Sequence, residues 1–554
     1  CFVVSFPPSL AFLLEKILAD SPAQAAGLEP GDVIISVDDV ETAGKTATEI
    51  SAMLRGEEGT QVSLTLLRGD TRRSYRLTRK TVVVAATTTE LRDGHIGYIE
   101  CNTFGAETEG HFVAGITAND AAADRWIVDL RKNGGGDISA CVQAAGTLAG
   151  RGEFTYLRDN EGKYGAYVRE KDRLTQEPVI VVVGQDTASA SEIFASILRD
   201  QQTGLIIGSR TYGKGVAQTM LDKETDPTVF SDGSALKVTA YRFFSPNGTT
   251  TDRVGVIPHL LVPEELADKV ALLLCAAPPE GQSKDLLRLD MGWRWYVDLN
   301  EAVKPENRSA FAALLAAIPP SVCLQRGTGG SEGWQEVAPA DVARQFQVEE
   351  YTYRGFGDVE GSAYGQEIDT LATYGILRGT GDGGFHPDSG LTRGELCALL
   401  ARTLDCPQTM GGKPYAGESR FTDVPVTAWY AAPVNELAAL GLVDGVGKGL
   451  FRPEDPVTNQ ELMTVMARLI RRLSMIFHDA QPKETLDYGY LVPYDRWARL
   501  SVWTLTESQQ DLYGDRLNLL WSKPEEIVPT APAVRGETAA LLYNVLSSAR
   551  VITV

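Results

Sequence analysis

A chain of 554 residues holds about three to five domains of ordinary size and can bury several cores, so it is no small scaffold stapled by disulfides. Its 73 acidic against 52 basic residues leave a net charge of -21, which repels nucleic acid and anionic lipid and disfavours a polyanion-tracking function for the chain as a whole. No run of about 18 or more apolar residues is present, so no transmembrane segment is expected.

The chain opens at Cys1 without a charged region and cleavage site, and a signal peptide is therefore expected to lie outside it. Apolar residues follow Cys1 where a lipid-modified terminus would have a polar tether, so a trimmed, N-terminally truncated start is expected. The seven cysteines, Cys1, Cys101, Cys141, Cys275, Cys323, Cys397 and Cys406, are scattered and odd in number, with no CxxC pair and no His at metal-ligand spacing. They read as small buried hydrophobes, and no metal or cofactor is implied.

Residues 10–84 read as short strands around one helix: LLEKIL, SPAQAAGLEPGDVIISVDD, the helical TATEISAMLRG, then TQVSLTLLRG and RRSYRLTRK, with turns at Pro22, Gly27, Gly31 and Gly69. SPAQAAGLEPGDVIISVDD resembles the core of a PDZ domain, in which an AGL-x-x-GD turn precedes a buried strand. The resemblance implies a β-rich module over 1–84 that binds peptide tails by adding them to a sheet edge and holding the terminal carboxylate on backbone N–H groups. In that family a glycine-containing loop and a strand precede the LLEKIL-like strand. Only CFVVSFPPSLAF stands there in this chain, so an incomplete peptide groove is expected.

From about 94 to 262 strands alternate with helices: HIGYIEC, a helix near 106–120, RWIVDLR, a helix over 138–148, PVIVVVG, a helix over 190–200, and GLIIGSR. Continuous apolar strands between amphipathic helices predict a mostly parallel sheet covered on both faces, the part of the chain able to host an enzyme. Residues 263–350, with Trp293, Trp295, Trp334 and a glycine-rich stretch over 327–333, read as a connecting module whose aromatics belong to a core.

The last third repeats itself with a period of 66: Phe385 and Pro387 return as Phe451 and Pro453, Gly375 as Gly441 and Glu395 as Glu461. Each copy carries a helix (EIDTLATYGIL, VNELAALGLV), a Gly-rich turn, a Phe-x-Pro, and a Thr-x-x-Glu opening a second helix. The Thr392 to Glu395 spacing is that of a capping box, a purely structural device. A weaker third copy has Trp497 in its first helix and VRGETAALLYNVL in its second.

This unit resembles the S-layer homology repeat, and GILRGTGDGGFHPDSGLTRGELCALL matches it almost throughout. The resemblance implies an all-α C-terminal trefoil over 351–554, with repeats at about 351–406, 416–474 and 485–550, that anchors an extracellular chain to anionic secondary cell-wall polysaccharide. It puts the charge for the sugar on Arg393 and Arg535, while Asn459 holds that position in the middle copy.

As to chemistry, there is no GxSxG elbow and no HExxH, and His95 and His111 read as structural or exposed, so a Ser-His-Asp mechanism has little support. GSRTYGKG, residues 208–215, has the frame of a phosphate-binding P-loop. Gly215, however, stands where a magnesium-holding Ser or Thr belongs, and no helix is predicted directly after it. In DTASASEIFASILRD, small residues flank Ser189 at a strand-to-helix turn, where the first helical N–H groups are unpaired. On that segment alone Ser189 is equally an N-cap or a nucleophile beside an oxyanion hole, and Ser191 is the nearby rival.

TASASEIFA, TYGKGVAQ with its lysine 25 positions after Ser189, DLRKNGGGD, ALKVTAYRFFSPNG and GVIPHLLV together resemble the signatures of the carboxy-terminal processing proteases, although His259 stands where Asp is usual. The resemblance implies a tail-specific serine protease domain over 85–262 with an α/β, crotonase- or ClpP-like spiral core. It makes Ser189 the nucleophile, Lys214 the general base and Gln218 the residue that orients the lysine through a neutral hydrogen bond. It places the oxyanion hole on the N–H groups of Ala190 and Gly135, with Gly136 as neighbour, because a Cβ there would hold the scissile carbonyl away. Arg55 is, by position, a candidate for coupling tail binding to catalysis. Expected substrates are protein or peptide C-terminal tails; the alternative is a catalytically inactive wall-bound scaffold.

Overall fold

The computed structural model describes residues 2–5, 12–17, 21–45, 47–69, 71–80, 86–231, 234–281, 283–330, 333–406, 415–482, 488–509 and 517–553. Cys1 and the expected boundary at 84 lie outside them. The chain divides into two units, residues 1–85 and 86–554.

In the first unit, the two-residue period of a strand turns Val62, Leu64 and Leu66 inward, where they bury against Leu14, Ile34, Val37 and Ile50. The antiparallel strands run in the order Phe2–Ser5, Phe12–Ile17, Val33–Val37, Gln61–Arg68, Thr71–Thr78, with helix Ala47–Leu54 packed on them. A strand therefore does precede the LLEKIL strand, and it forms one edge of the sheet. The Gly-Asp of the turn has a structural cause: buried Asp32 accepts Arg68 Nε at 2.6 Å, Arg68 Nη2 at 2.8 Å and the Glu29 N–H at 3.0 Å. The Arg68 hydrogen bond holds the Asp32 carboxyl below its usual range.

In the second unit the apolar strands form a sheet ordered Leu260–Leu261, Gly204–Gly208, Val179–Val183, Arg125–Asp129, Ile96–Cys101, Thr87–Arg92, parallel except for the last pair. Helices Thr108–Asn119, Ile138–Ala149 and Ala190–Asp200 cover one face around Trp126, Val181 and Ile206. Residues 263–350 cover the other: helices Glu264–Leu273 and Arg308–Ala317 and the buried Trp295 share one core with Ile127, Ile180, Val182 and Ile207. The connecting stretch is thus the layer that a parallel sheet needs on its second face. A second, antiparallel sheet, ordered Tyr164–Arg169, Gly152–Arg158, Leu236–Phe244, Val216–Leu221, follows from no motif in the sequence except its third strand.

The repeats close into a ring. Gly394 N–H donates to Pro453 O, Gln460 N–H to Pro529 O and Gly536 N–H to Pro387 O, at 2.8, 3.0 and 2.7 Å, so each second helix starts on the x-Pro loop of another copy. The Thr392–Glu395 capping box is formed in both directions, with Thr392 N–H donating to Glu395 Oε2 at 2.8 Å and Glu395 N–H to Thr392 Oγ1 at 3.2 Å. Trp497, expected in the first helix of the third copy, lies just before helix Arg499–Thr506 and is exposed. Cys101, Cys141, Cys275, Cys397 and Cys406 are buried free thiols. Among the described residues no helix is long and apolar enough to cross a membrane.

Because Trp295 joins 263–350 to the sheet, Trp295→Ala should cost about 3–5 kcal/mol of stability in denaturant unfolding of the second unit. A loss below about 1 kcal/mol would show that the two do not share a core.

Candidate active site

Strand Val179–Val183 is buried throughout and ends in a turn that launches helix Ala190–Asp200. Thr187 ties the turn down, its Oγ1 accepting the Gly184 N–H at 2.9 Å and donating to Leu130 O at 2.8 Å. At the end of the turn Ser189 adopts φ 59° and ψ -119°, a conformation that costs a non-glycine residue about 1–3 kcal/mol and persists only when its surroundings impose it. The Ala190 N–H, at the helix start, has no hydrogen-bond partner among the described residues. Ser191 is fully buried, its Oγ without a partner, which sets it apart from half-buried Ser189.

The glycine run faces this turn. A Cβ on Gly135 would stand 2.9 Å from Ser189 Cβ and 3.1 Å from Ala190 N, so the run passes too close to the serine for any larger residue. Buried Asn133 holds it there: its Nδ2 donates to Cys101 O at 3.1 Å, its Oδ1 accepts the Gly135 N–H at 2.9 Å, and its carbonyl accepts the Ala188 N–H at 3.2 Å. The Gly135 N–H, expected in the oxyanion hole, is therefore occupied, whereas the Gly136 N–H has no partner among the described residues.

Lys214 sits half-buried on the loop over 209–215, which leads into strand Val216–Leu221 and not into the helix of a P-loop. Gly215 is glycine because a Cβ would overlap the backbone nitrogen of Asp252. One carboxylate joins this loop to the serine turn. Glu192 Oε2 accepts the N–H groups of Ser189 at 2.8 Å and Lys214 at 2.9 Å, and its Oε1 accepts Thr211 Oγ1 at 2.6 Å and the Gly213 N–H at 2.8 Å. The carboxylate is fully buried; desolvation pushes its carboxyl up, and the four donors oppose that. Glu192 lies three residues after Ser189, the spacing of a helix-capping acid, and that spacing was its only trace in the sequence.

The side chains expected to act together are not hydrogen-bonded to one another: among the described residues no hydrogen bond joins Ser189 Oγ, Lys214 Nζ and the Gln218 amide. Gln218 lies on strand Val216–Leu221 opposite Thr239, just past a register shift, and is exposed. His95, read as structural or exposed, pairs through Nδ1 with Asp124 Oδ1 at 2.9 Å. His111 is exposed, and His259 Nδ1 accepts the Ile206 N–H at 2.9 Å, its pKa pushed down to about 3 chiefly by desolvation. Arg55 follows helix Ala47–Leu54 in the first unit and lines a cleft there with Leu54, Arg79 and Lys80.

In the repeats, Arg393 Nε donates to Phe451 O at 2.9 Å, Nη1 to Glu461 Oε1 at 2.9 Å and Nη2 to Asp444 O at 2.9 Å. Arg535 Nε donates to Phe385 O at 2.7 Å, and its guanidinium lines a cleft with Arg378, Arg402 and Trp429. Asn459 makes a similar contact one residue nearer the proline, Nδ2 to Val528 O at 3.1 Å, so this position fastens each copy to another whichever residue holds it. Desolvation, with Arg378 and Arg535 nearby, pulls Arg402 down to about 10.

The buried Glu192 gives a proton-linkage prediction. Well below the usual carboxyl pKa of 4.5 the wild-type carboxyl and the Glu192→Gln amide are both neutral. As pH rises, the unfolded carboxyl loses its proton before the folded one, whose pKa lies above the usual 4.5. Wild-type stability measured against Glu192→Gln should therefore fall with rising pH across that window. Denaturant unfolding of both proteins from about pH 4 to 7 measures it, and a constant or widening advantage for the wild type contradicts the shift.

The model of peptidase family S41 matches residues 95–262, that of the PDZ domain residues 15–68, and that of the S-layer homology domain residues 355–397 and 420–462. The chain is 32% identical over 261 residues to the carboxyl-terminal-processing protease of Picosynechococcus sp., an alignment covering 46% of this chain and 61% of the relative. It is 33% identical over 284 residues to the chloroplastic carboxyl-terminal-processing peptidase 2 of Arabidopsis thaliana, covering 49% and 54%. The chain thus spans between half and two thirds of these relatives' length. A solved photosystem II D1 C-terminal processing protease is similar at 29% identity over 48% of this chain and 72% of that one, with a TM-score of 0.32. Residues 95–262 are therefore a peptidase family S41 domain, in a chain that also carries a PDZ domain and S-layer homology repeats.

Proposed function

We propose that this chain is a serine endopeptidase that cuts proteins near their C-terminal tails and is held at the cell wall by its repeats. The observation that carries the reading is the double grip of Glu192 on the N–H groups of Ser189 and Lys214, which registers the loop bearing the proposed base against the turn bearing the proposed nucleophile. Ser189 Oγ adds to the scissile carbonyl carbon while Lys214 Nζ takes its proton. The carbonyl oxygen becomes an oxyanion beside the N–H groups of Ala190 and Gly136, both without another partner among the described residues. Collapse breaks the C–N bond, the proton passes from Lys214 to the leaving amine, and water deprotonated by Lys214 then releases the acyl group. A lysine base has to be neutral to act. The Glu192 carboxylate, already accepting four donors, is directed at backbone and hydroxyl groups and not at the ammonium.

Tails are the proposed substrates because the two curated relatives are named for carboxyl-terminal processing and a PDZ domain precedes the S41 domain. The PDZ edge strand Phe2–Ser5 is the proposed acceptor for a tail added as a further strand. For wall binding, the cleft lined by Arg378, Arg402 and Arg535 gathers three cations around the carboxylate of Glu395, an excess of positive charge that suits a negatively charged sugar. Arg393, tied to Glu461, serves the ring in this reading more than the glycan.

With a tail-bearing peptide as substrate, Ser189→Ala and Lys214→Ala should each lower kcat by about 10³-fold or more. Turnover retained in purified Lys214→Ala would sink the Ser–Lys assignment, and failure of Ser189 to react with a serine-directed probe would favour an inert scaffold. In co-sedimentation with anionic wall polysaccharide, Arg535→Ala should weaken binding by about 10-fold or more. Equal losses for Arg535→Ala and Arg393→Ala would contradict the assignment of the sugar to the three-arginine cleft.

A further inference from the structure

The repeats are fastened to the loop that presents Lys214. Residues 252–256 run alongside that loop and bracket the lysine. Arg253 N–H donates to Gly213 O at 2.9 Å, the Gly215 backbone is pressed against Asp252, and Thr211 exchanges hydrogen bonds with Val256, Val256 N–H to Thr211 Oγ1 at 2.6 Å and Thr211 N–H to Val256 O at 3.3 Å. The residues just before this segment, 248–250, are held by the repeats. Thr250 N–H donates to Leu473 O at 2.9 Å, Met475 N–H to Gly248 O at 2.9 Å, and Thr249 Oγ1 to Ala549 O. Val254 and Ile257 bury in one cluster with Leu400, Leu469 and Leu473.

Two charged contacts complete the grip. Arg472 Nη2 lies 2.8 Å from Asp252 Oδ2, with both side chains about five-sixths buried at 16% and 15% exposure; Arg242 is a more distant partner at 3.5 Å. Arg210, on the lysine loop itself, donates from Nε to Val254 O at 2.6 Å, from Nη1 to Arg402 O at 2.8 Å and from Nη2 to Thr403 O. Those last two carbonyls end helix Arg393–Thr403, the negative pole of its dipole, where a guanidinium fork is the fitting cap.

We propose that the repeat domain is part of the peptidase's catalytic framework: Arg472 through Asp252, and helix Arg393–Thr403 through Arg210, position the loop that presents Lys214 to Ser189. Arg472, Asp252 and Arg210 are positioning residues, since none of them reaches the reacting atoms. The inference rests on the peptidase reading above and adds that the wall-binding module does more than anchor. Displacing a catalytic group by about 1 Å costs on the order of 10²-fold in rate, so a modest relaxation of the segment over 252–256 is enough to matter.

The test uses the full chain and a tail-bearing peptide. Arg472→Ala should lower kcat by about 10²-fold with KM within about 3-fold, and should slow labelling of Ser189 by a serine-reactive probe in parallel. Arg472→Lys, which can still pair with Asp252, should recover most of the loss. Asp252→Asn, which keeps the shape and removes the charge, serves as the second variant should Arg472→Ala fail to fold, and should show the same fall in kcat. Melting curves confirm that each variant is folded at the assay temperature. A folded Arg472→Ala or Asp252→Asn with kcat within about twofold of wild type overturns the inference, as does a loss that Arg472→Lys leaves unrepaired. A wild type whose turnover does not depend on Ser189 fails the peptidase reading itself, and this inference with it.

Discussion

A single buried carboxylate organises the S41 domain. Glu192 accepts donors from the serine turn and from three residues of the lysine loop, Thr211, Gly213 and Lys214, with both of its oxygens in use. Ionisation is costly at a fully buried position, and the hydrogen bonds are what offset it. That dependence runs in both directions: without the carboxylate, four donors, that of Thr211 buried and the other three part-buried, would lose their acceptor, among them the N–H of the strained Ser189. Local strain at the serine, the close approach of the glycine run and the path of the lysine loop are therefore one arrangement. Asn133 plays the same part on the other flank, tying Gly135 and Ala188 to the strand that ends at Cys101.

Around that arrangement the larger architecture follows from burial. Strands such as Val179–Val183 are apolar on both sides, and a sheet built from them is stable only between two layers. One layer comes from helices within the S41 domain, the other from residues 263–350, whose Trp295 lies beneath the sheet. The same pressure explains the repeats' attachment. Val254 and Ile257, which belong by sequence to the S41 domain, bury in the core of the repeat helices. Domains that look separable as motifs are in this way joined through cores.

In the repeats one sequence position has two uses. Arg393, Asn459 and Arg535 each donate to a carbonyl of another copy, and this contact closes the ring irrespective of charge. Charge enters only in what surrounds each cleft. Arg393 is ion-paired with Glu461 in a cleft it shares with Arg468 and Asp444, whereas Arg535 shares its cleft with Arg378, Arg402 and Glu395 and makes no ion pair with that acid among the described residues. Equal motifs thus produce unequal clefts, because the neighbours come from different copies.

Much of this protein was determined locally and could be read from the letters. The strand and helix positions of the parallel sheet, the capping box at Thr392, the 66-residue repeat and the serine turn are each set by hydrophobic period, by glycine, or by a side chain bonding to a backbone group a few residues away. The strand that carries Gln218 was not legible in the sequence, because a strand with a register shift cannot be told from a loop by composition. What only tertiary structure decided are the meetings of distant segments: Glu192 with the lysine loop, Asn133 with Gly135, Arg210 with the end of helix Arg393–Thr403, and Trp295 with the sheet. A carboxylate three residues after a serine looks like a helix cap. Its reach to Lys214 exists only because chain folding brings residues 22 positions apart within 2.9 Å and removes the water that would otherwise satisfy both. The physical reason for the division is range: periodicity and capping act within a few residues, whereas desolvation and long-range hydrogen bonds depend on which surfaces the fold has closed.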